Sequence, residues 1–394
     1  MGTVNLTLAN GQLGSTLQTD DGVAGMVLTG ASVGSTYTVE TPILIKSLDG
    51  LAEYDITLSN NAFAYKQVAD FYTEAGPGAS LYLMLTRAEM SCVDIVEPHN
   101  TDGVRKLLDY ARGRIKLLGV MTNDTAYALA TTLTIDTTNT INADVYDAAQ
   151  KMDVLAREYF DAQQPFRAVI GGTSYHGSAA TLVNLTGGTT NNRTAILVGD
   201  TESGDKACIG LLLGRLAVIP VMRKVSRVRT GALSNRAAYL GSATLESVHN
   251  DIPEIAGKGY ITFITYPNVS GYFFSGDDTC SAFTDDYHFL ARGRVVDKVH
   301  TLAYSIFVQE VDDEVPVNAD GTLDAGFCKW LSQQIENQVN NTMTVNREIS
   351  SVSCIIDPAQ NILSTNQLNV ILRIVPVGYA TNIEINLGFD NPAL

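Results

Sequence analysis

Apolar and polar positions alternate at Val4, Leu6 and Leu8, which predicts a short strand in a Thr-, Asn- and Gly-rich opening segment over residues 1–20. From Gly22, GVAGMVLTGASVG and then TPILIKSL predict two apolar strands around a turn. Over 59–75, Ala64, Val68, Phe71 and Tyr72 recur at helical spacing behind Ser59 or Asn60 as a cap, and Gly76-Pro77 stops the helix. Residues 81–85 are nearly all apolar, as in a strand buried on both faces. A helix over 103–112 and a strand over 116–121 follow. Asn142 then caps a long helix carrying Val145, Ala149, Met152, Ala156 and Tyr159 on one face. Strands over 166–170 and 194–198, a helix over 205–218 and a strand over 260–265 continue the rhythm. Such β-α alternation predicts an α/β fold: a central mixed or parallel sheet with helices on both faces.

The last hundred residues read differently. Helices are expected over 294–310, with Val295, Val299, Leu302 and Ile306 on one face, and over 327–339, with Trp330 in the core. Three strand-like runs follow, over 352–356, 368–375 and 383–387. In the last, Ile383, Ile385 and Leu387 share one face, with Glu384 and Asn386 on the other. That apolar face is expected to pack on the helices carrying Leu302, Ile306 and Trp330. The organisation expected is an N-terminal arm over 1–20, a central α/β domain over 21–290 and a C-terminal α+β domain over 291–394.

Composition sharpens this picture. The chain has 394 residues, 45% hydrophobic and 17% charged, too apolar for a disordered chain. A net charge of −16 repels phosphate backbones and argues against general nucleic-acid binding. The charge is uneven: residues 1–100 and 301–394 each hold 3 basic and 11 acidic residues, while the middle is near balance. Within the middle, Arg215, Arg223, Lys224, Arg227, Arg229 and Arg236 fall together without an intervening acid, a hint of self-complementary surfaces. The 5 cysteines are widely spaced and form no CxxC pair, which points to a reducing environment and to neither a disulfide framework nor a zinc site. The opening residues lack a secretory signal pattern. The most apolar stretch, 207–222, is interrupted by Arg215 and Pro220 and falls short of a membrane span.

Three constellations invite a chemical reading. TAILVGDTESGDKACIG places Gly199 and Gly204 before Lys206. A phosphate loop needs the lysine directly after the second glycine and a hydroxyl after that; here Asp205 intervenes and Ala207 follows. Gly172-Thr-Ser-Tyr-His-Gly approaches a nucleophile elbow, with Ser174 as the candidate, but His176 stands where the final glycine belongs. Asp277, Asp278, Asp285, Asp286 and His288 are dense enough for calcium, yet lack alternating ligand spacing and read as a solvated surface loop. No HExxH or i,i+4 histidine pair occurs, and His300 falls inside an apolar helix. These residues give no catalytic, cofactor or metal set.

The order of segments resembles that of tail sheath proteins of contractile injection machines, a family found in phage tails, tailocins and type VI-like systems. The resemblance is carried by GVAGMVLTGASVGSTYTVETPILIKS, FYTEAGPGASLYLMLTR, the small-residue helix GDKACIGLLLGRL, DDYHFLARGRVVDKVHTLAYSIF and the closing LNVILRIVPVGYATNIEINLGF. It spans nearly the whole chain and is most specific in the C-terminal hundred residues. One departure stands out: IPVMRKVSRVRTG follows the small-residue helix where the family often has Ala-Pro-Ala-Asn.

The resemblance implies a structural protein without a cofactor, stacking with copies of itself as hexameric rings around a tail tube and contracting to drive the tube through an envelope. Baseplate and tail terminator proteins are the further partners implied; nucleic acid and membrane insertion are not. Assembly in the bacterial cytoplasm into a phage tail or contractile particle follows. Val4, Leu6 and Leu8 at one end, and Ile383, Ile385 and Leu387 at the other, are the strands such a subunit would donate to neighbours. Arg223, Lys224, Arg227 and Arg229 are the candidate electrostatic contacts, facing an acidic turn such as Asp312-Asp313-Glu314. The rival reading is a cytosolic α/β hydrolase-like enzyme.

Overall fold

A computed structural model of the chain describes residues 20–188, 190–381 and 383–384. It divides into two compact units at Val308/Gln309. The first is built on a six-stranded sheet of order β2-β3-β1-β4-β5-β6. The strands are β1 (Ala24–Thr29), β2 (Ile43–Ile45), β3 (Leu81–Thr86), β4 (Leu117–Met121), β5 (Arg167–Gly171) and β6 (Thr194–Leu197). All neighbours are parallel except the edge pair β2–β3, which is antiparallel with Ile43 opposite Leu83.

The crossovers carry α1 (Ala62–Ala75), α2 (Cys92–Val96), α3 (Val104–Ala111), α4 (Asp124–Thr131) and α5 (Asp144–Asp161), and α6 (Ile209–Val218) follows β6. Helices α1 and α6 pack on each other and on β1 and β4, while α2, α3 and α5 form a separate layer on β1, β3 and β5. Every residue of β1, β3, β4, β5 and β6 is buried, which is why these strands read as continuous apolar runs rather than as alternation.

The two strands expected to flank a turn near residue 30 are not partners. β3 lies between them, because a fully buried β1 needs ladder neighbours on both sides: β3 on one and β4 on the other. The connecting loop runs beside β3 instead, where the Tyr37 hydroxyl accepts from the Leu85 N–H at 2.9 Å and donates to the Thr41 carbonyl at 3.0 Å. α6 starts four residues later than the spacing predicts, because the Asp205 carbonyl accepts from the Ser174 N–H and the Cys208 N–H reaches back to Gly199. The strand expected over 260–265 touches the sheet through Ile261 beside Leu197 and then leaves it as a hairpin of β9 (Phe263–Tyr266) and β10 (Val269–Phe274). Between β6 and that hairpin lie a two-residue pair, β7 (Tyr239–Leu240) with β8 (Ala243–Thr244), and α7 (Ile252–Gly257).

α8 (Leu290–Phe307) closes the first unit. Its first half is buried through Leu290, Ala291, Val295 and Val299. Arg167, at the start of β5 and 2% exposed, holds it through Asp297 with two bonds of 2.6 and 2.8 Å, and donates to the Gly293 carbonyl at 3.1 Å. A Cβ at position 293 would meet the guanidinium, so glycine is what lets the arginine lie across the helix. His300 stacks on Phe160 with ring centroids 4.3 Å apart.

The second unit holds α9 (Ala325–Val339), a π-turn over Asn340–Thr344, β11 (Ile349–Ile355), α10 (Ile362–Thr365) and β12 (Ile371–Pro376). Asp324 caps α9 by accepting from the Phe327 N–H at 2.8 Å. Cys328, Leu331, Ile335 and Val339 form its inner stripe. Trp330, expected in the core, lies off that stripe beside Phe327 and is 47% exposed. β11 and β12 form an antiparallel pair with Cys354 opposite Leu372 and Ile355 opposite Ile371. Cys354 is buried toward α9, whereas Ser353, Ile355, Ile371, Arg373 and Val375 point outward and are exposed.

Candidate assembly interface

Open parallel sheets place their chemistry at the carboxyl ends of the strands. Here that rim is closed by the protein's own bonds. Asp124, just past β4 and 4% exposed, accepts hydroxyl hydrogens from Thr122 at 3.0 Å and from Thr173 and Ser174 at 2.6 Å each. Ser174 has the left-handed backbone of an elbow, with φ 59°, but its hydroxyl points to this carboxylate. The His176 Nδ1 lies against the carbonyls of Thr140 and Ser174, at 3.1 and 3.2 Å. No Ser–His–acid relay is assembled among the described residues. Asp124 is not among the candidates the sequence offers; its only trace there is the polar run Thr122-Asn123-Asp124 just past the strand over 116–121.

The would-be phosphate loop is likewise occupied. Asp200 pairs with Lys66 at 2.6 Å, Asp205 accepts from the Thr125 hydroxyl at 2.9 Å, and Lys206 lies toward the Phe63 ring. Threonines make up half the lining of an open cavity of about 740 Å³ beside His176, and its carboxylate, Asp136, accepts from the hydroxyl and N–H of Thr138.

The acidic group over 277–288 is solvated only in part: Asp286 is exposed and Asp278 and Asp285 are half-buried. Asp277 and His288 are 0% and 1% exposed. Asp277 accepts from the Ala291 N–H at the start of α8 and pairs with Lys224 at 3.2 Å. Burial pushes its carboxyl pKa up, and the Lys224 ammonium pulls against that shift. His288 Nε2 lies 2.8 Å from Asp278. Among the described residues no group of three or more His, Cys, Asp or Glu side chains is placed to hold a metal, and no helix is long and apolar enough to cross a membrane.

Lys224 therefore departs from its expected place in an electrostatic interface: it is turned inward, onto Asp277 and over the Phe289 ring at 3.3 Å. Arg215 is also engaged internally, with Glu74 at 3.3 Å and the carbonyls of Gly231 and Ala232. Arg223 is half-buried, and burial followed by the nearby Arg227 charge lowers its guanidinium pKa. Arg227, Arg229 and Arg236 are exposed. The basic run thus divides into inward anchors and an outward group centred on Arg223, Arg227 and Arg229. Asp312, Asp313 and Glu314, in the second unit, are all exposed.

The second candidate surface is the sheet of the second unit. Two strands alone make a marginal sheet, and the pair leaves edge groups without ladder partners among the described residues. The Cys354 N–H, on the edge of β11 away from β12, donates to Glu336 Oε1 of α9 at 2.7 Å. A cavity of about 340 Å³ runs between α9 and this edge, lined by Cys328, Lys329, Ser332, Glu336, Cys354 and Ile356 among others. Ile383 is 73% exposed. Val4, Leu6, Leu8, Ile385 and Leu387 lie outside the described residues, and so does the expected packing of the closing run.

No curated protein sequence matches the chain. Two family models cover it: one described as DUF2586, N-terminal domain, matches residues 1–278, and one described as DUF2586, C-terminal domain, matches residues 286–394. The chain belongs to the DUF2586 family. Among solved structures, the DUF2586 chain is similar to the anti-feeding prophage (AFP) helical sheath in its contracted state, with TM-score 0.63 and 13% identity over 98% of this chain and 99% of that one. It is similar to a chain of the 6-fold symmetrised AFP baseplate, with TM-score 0.63 and 11% identity over 99% and 100%. It also matches the PVC sheath complex of an extracellular contractile injection system in its contracted state, with TM-score 0.63 and 12% identity over 100% and 99%. At such identities the likeness is one of fold: this DUF2586 protein has the fold of contractile sheath proteins from end to end.

Proposed function

We propose that this DUF2586 protein is the structural subunit of a contractile tail sheath, stacking as hexameric rings around a tail tube and shortening to drive that tube through a target envelope. The supporting observation is the match in fold over essentially the whole of this chain and of the sheath chains, in both directions. Its partners are then copies of itself, a tube protein, and baseplate and terminator proteins. Its setting is a phage tail or related particle assembled in the bacterial cytoplasm. The subunit acts mechanically, through its interfaces, rather than as an enzyme. Negative-stain microscopy of purified protein tests this: long tubes of uniform diameter are expected, and compact monomers at every concentration would overturn it.

Strand donation links the rings in this reading. The exposed edges of β11 and β12 accept the alternating segments around Val4, Leu6 and Leu8 and around Ile383, Ile385 and Leu387 from neighbouring copies. Deleting residues 1–12 is expected to leave a folded protein that no longer forms tubes. Normal tubes from the truncated chain would refute the arm's role.

A −16 subunit packs against itself only where opposite charges face each other. Arg223, Arg227 and Arg229 serve as the basic side, and Asp312, Asp313 and Glu314 of a second copy as the acidic one. Exposed pairs contribute about 0–1 kcal/mol each, but a helical lattice repeats them in every subunit. Reversing Arg227 and Arg229 to Glu is expected to leave monomer stability within about 0.5 kcal/mol and to impair tubes. Adding Asp312→Lys and Asp313→Lys is expected to restore them in part. Electron microscopy of the two variants reads this out, and unimpaired tubes from the first remove the basic group from the interface.

A further inference from the structure

We propose that Glu336 guards the open edge of β11 and that the strand it gives way to is the uncharged opening segment of a second copy, around Val4, Leu6 and Leu8. The proposal rests on the strand-donation reading above and adds to it a device that controls when the edge is available.

An exposed edge strand is a template for indiscriminate pairing. In an antiparallel pair, residues alternate between those whose N–H and C=O face the partner strand and those whose groups face away. Cys354 stands opposite Leu372 on β12, yet its N–H donates to Glu336 on α9. It therefore belongs to the outward-facing set, and alternation puts Val352 in that set too. A strand added to this edge places a backbone carbonyl about 2.9 Å from the Cys354 nitrogen. A carboxylate oxygen of Glu336 already occupies that position at 2.7 Å. The added strand and the carboxylate exclude each other, so the edge opens only when Glu336 swings out.

Charge selects the occupant. The wall of the neighbouring cavity holds one acid and one base, Glu336 and Lys329. Residues 1–19 contain no Asp, Glu, Lys or Arg, so their arrival leaves that wall balanced. The closing run carries Glu384 in its polar row, so even from the outer face it brings a like charge within a Debye length of the displaced carboxylate. The alternation of Val4, Leu6 and Leu8 sends one row of apolar side chains toward the cavity and leaves the polar row outside.

The test uses the full chain, diluted below the concentration at which it forms tubes, with a fluorescent peptide of residues 1–12 as probe and one of residues 379–390 as comparison. Glu336→Ala is expected to bind the first peptide about tenfold more tightly than the natural protein, since a charge-assisted competitor is gone. It is also expected to lose protection of the Cys354 amide in hydrogen exchange. Glu336→Gln, whose neutral amide oxygen still accepts, is expected to fall between. Equal or weaker binding by a folded Glu336→Ala overturns the guard, because a purely structural glutamate would weaken the site when removed. Should that variant fail to fold, Glu336→Gln decides alone: tighter binding supports the guard and unchanged binding overturns it. Preference for the 379–390 peptide overturns the choice of occupant. Peptide binding with these signs from a protein that never forms tubes leaves the guard standing and removes the sheath reading instead.

Discussion

Replacing Gly210 by valine is expected to destabilise the first unit by about 3 kcal/mol or more, toward or beyond the upper end of what overpacked cores show. α6 crosses α1 at backbone contact. A Cβ on Gly210 would run into the Gln67 carbonyl oxygen, and one on Gly214 into that of Phe71. Backbone cannot give way as a side-chain tip can, so one helix must move. The same crossing is pinned by Gln67, which is fully buried: its amide donates to the Ala207 carbonyl at 3.0 Å and its oxygen accepts from the Gly210 N–H at 2.9 Å. Separating the helices strands both groups, each a buried polar cost of about 1–3 kcal/mol. Gly210→Ala is expected to be milder but of the same sign, although alanine is the better helix former. Urea unfolding of the two variants checks this, and a valine variant within 1 kcal/mol of the natural protein would show that α1 and α6 do not meet this closely.

That crossing marks the boundary of what was legible in the sequence. GDKACIGLLLGRL reads as a small-residue helix from composition alone, but which glycines face another helix depends on α1, far away in the chain. Strands buried on both faces were legible because they are short apolar runs bounded by turn residues; the sheet order was not, since inserting β3 beside β1 is a long-range event. The buried part of the acidic cluster, Asp277 and His288, misled for the same reason. Asp277 looks solvated beside Asp278 until Lys224 arrives from a distant segment to neutralise it. Trp330 misled through bulk, because helical spacing from Cys328 to Val339 already fills the inner stripe of α9. At the proposed interface, the alternating termini and the basic run were visible, whereas Glu336 was not: a glutamate on a polar helix flank carries no signal until its carboxylate is found on a strand amide.

Asp297→Ala is expected to cost about 3–5 kcal/mol, the range for removing one partner of a buried ion pair. Arg167 is 2% exposed and keeps only the carbonyls of Asn192 and Gly293, at 3.0 and 3.1 Å, once the carboxylate is gone. Arg193, 3.5 Å from the same carboxylate, loses one of its two nearby counter-charges and keeps Asp153. The double replacement Arg167→Met with Asp297→Leu removes both charges of the main pair and is expected to recover much of the loss, which separates a stranded charge from simple loss of packing. A second readout lies one turn on. Burial lowers the His300 pKa below its ordinary value near 6.5, with Arg193 and Lys116 acting in the same direction and Asp297 and Asp161 opposing them. A histidine depressed in the folded state supports folding above its unfolded pKa and loses that contribution as pH falls through the folded value. Without Asp297 the cations are less opposed, so the His300 imidazole is expected to titrate lower still, as NMR of its ring protons would record. An unchanged His300 titration together with a loss below 1 kcal/mol would mean that the carboxylate is not the anchor of α8. With both effects present, α8 is held to the first unit by a charge clamp across β5.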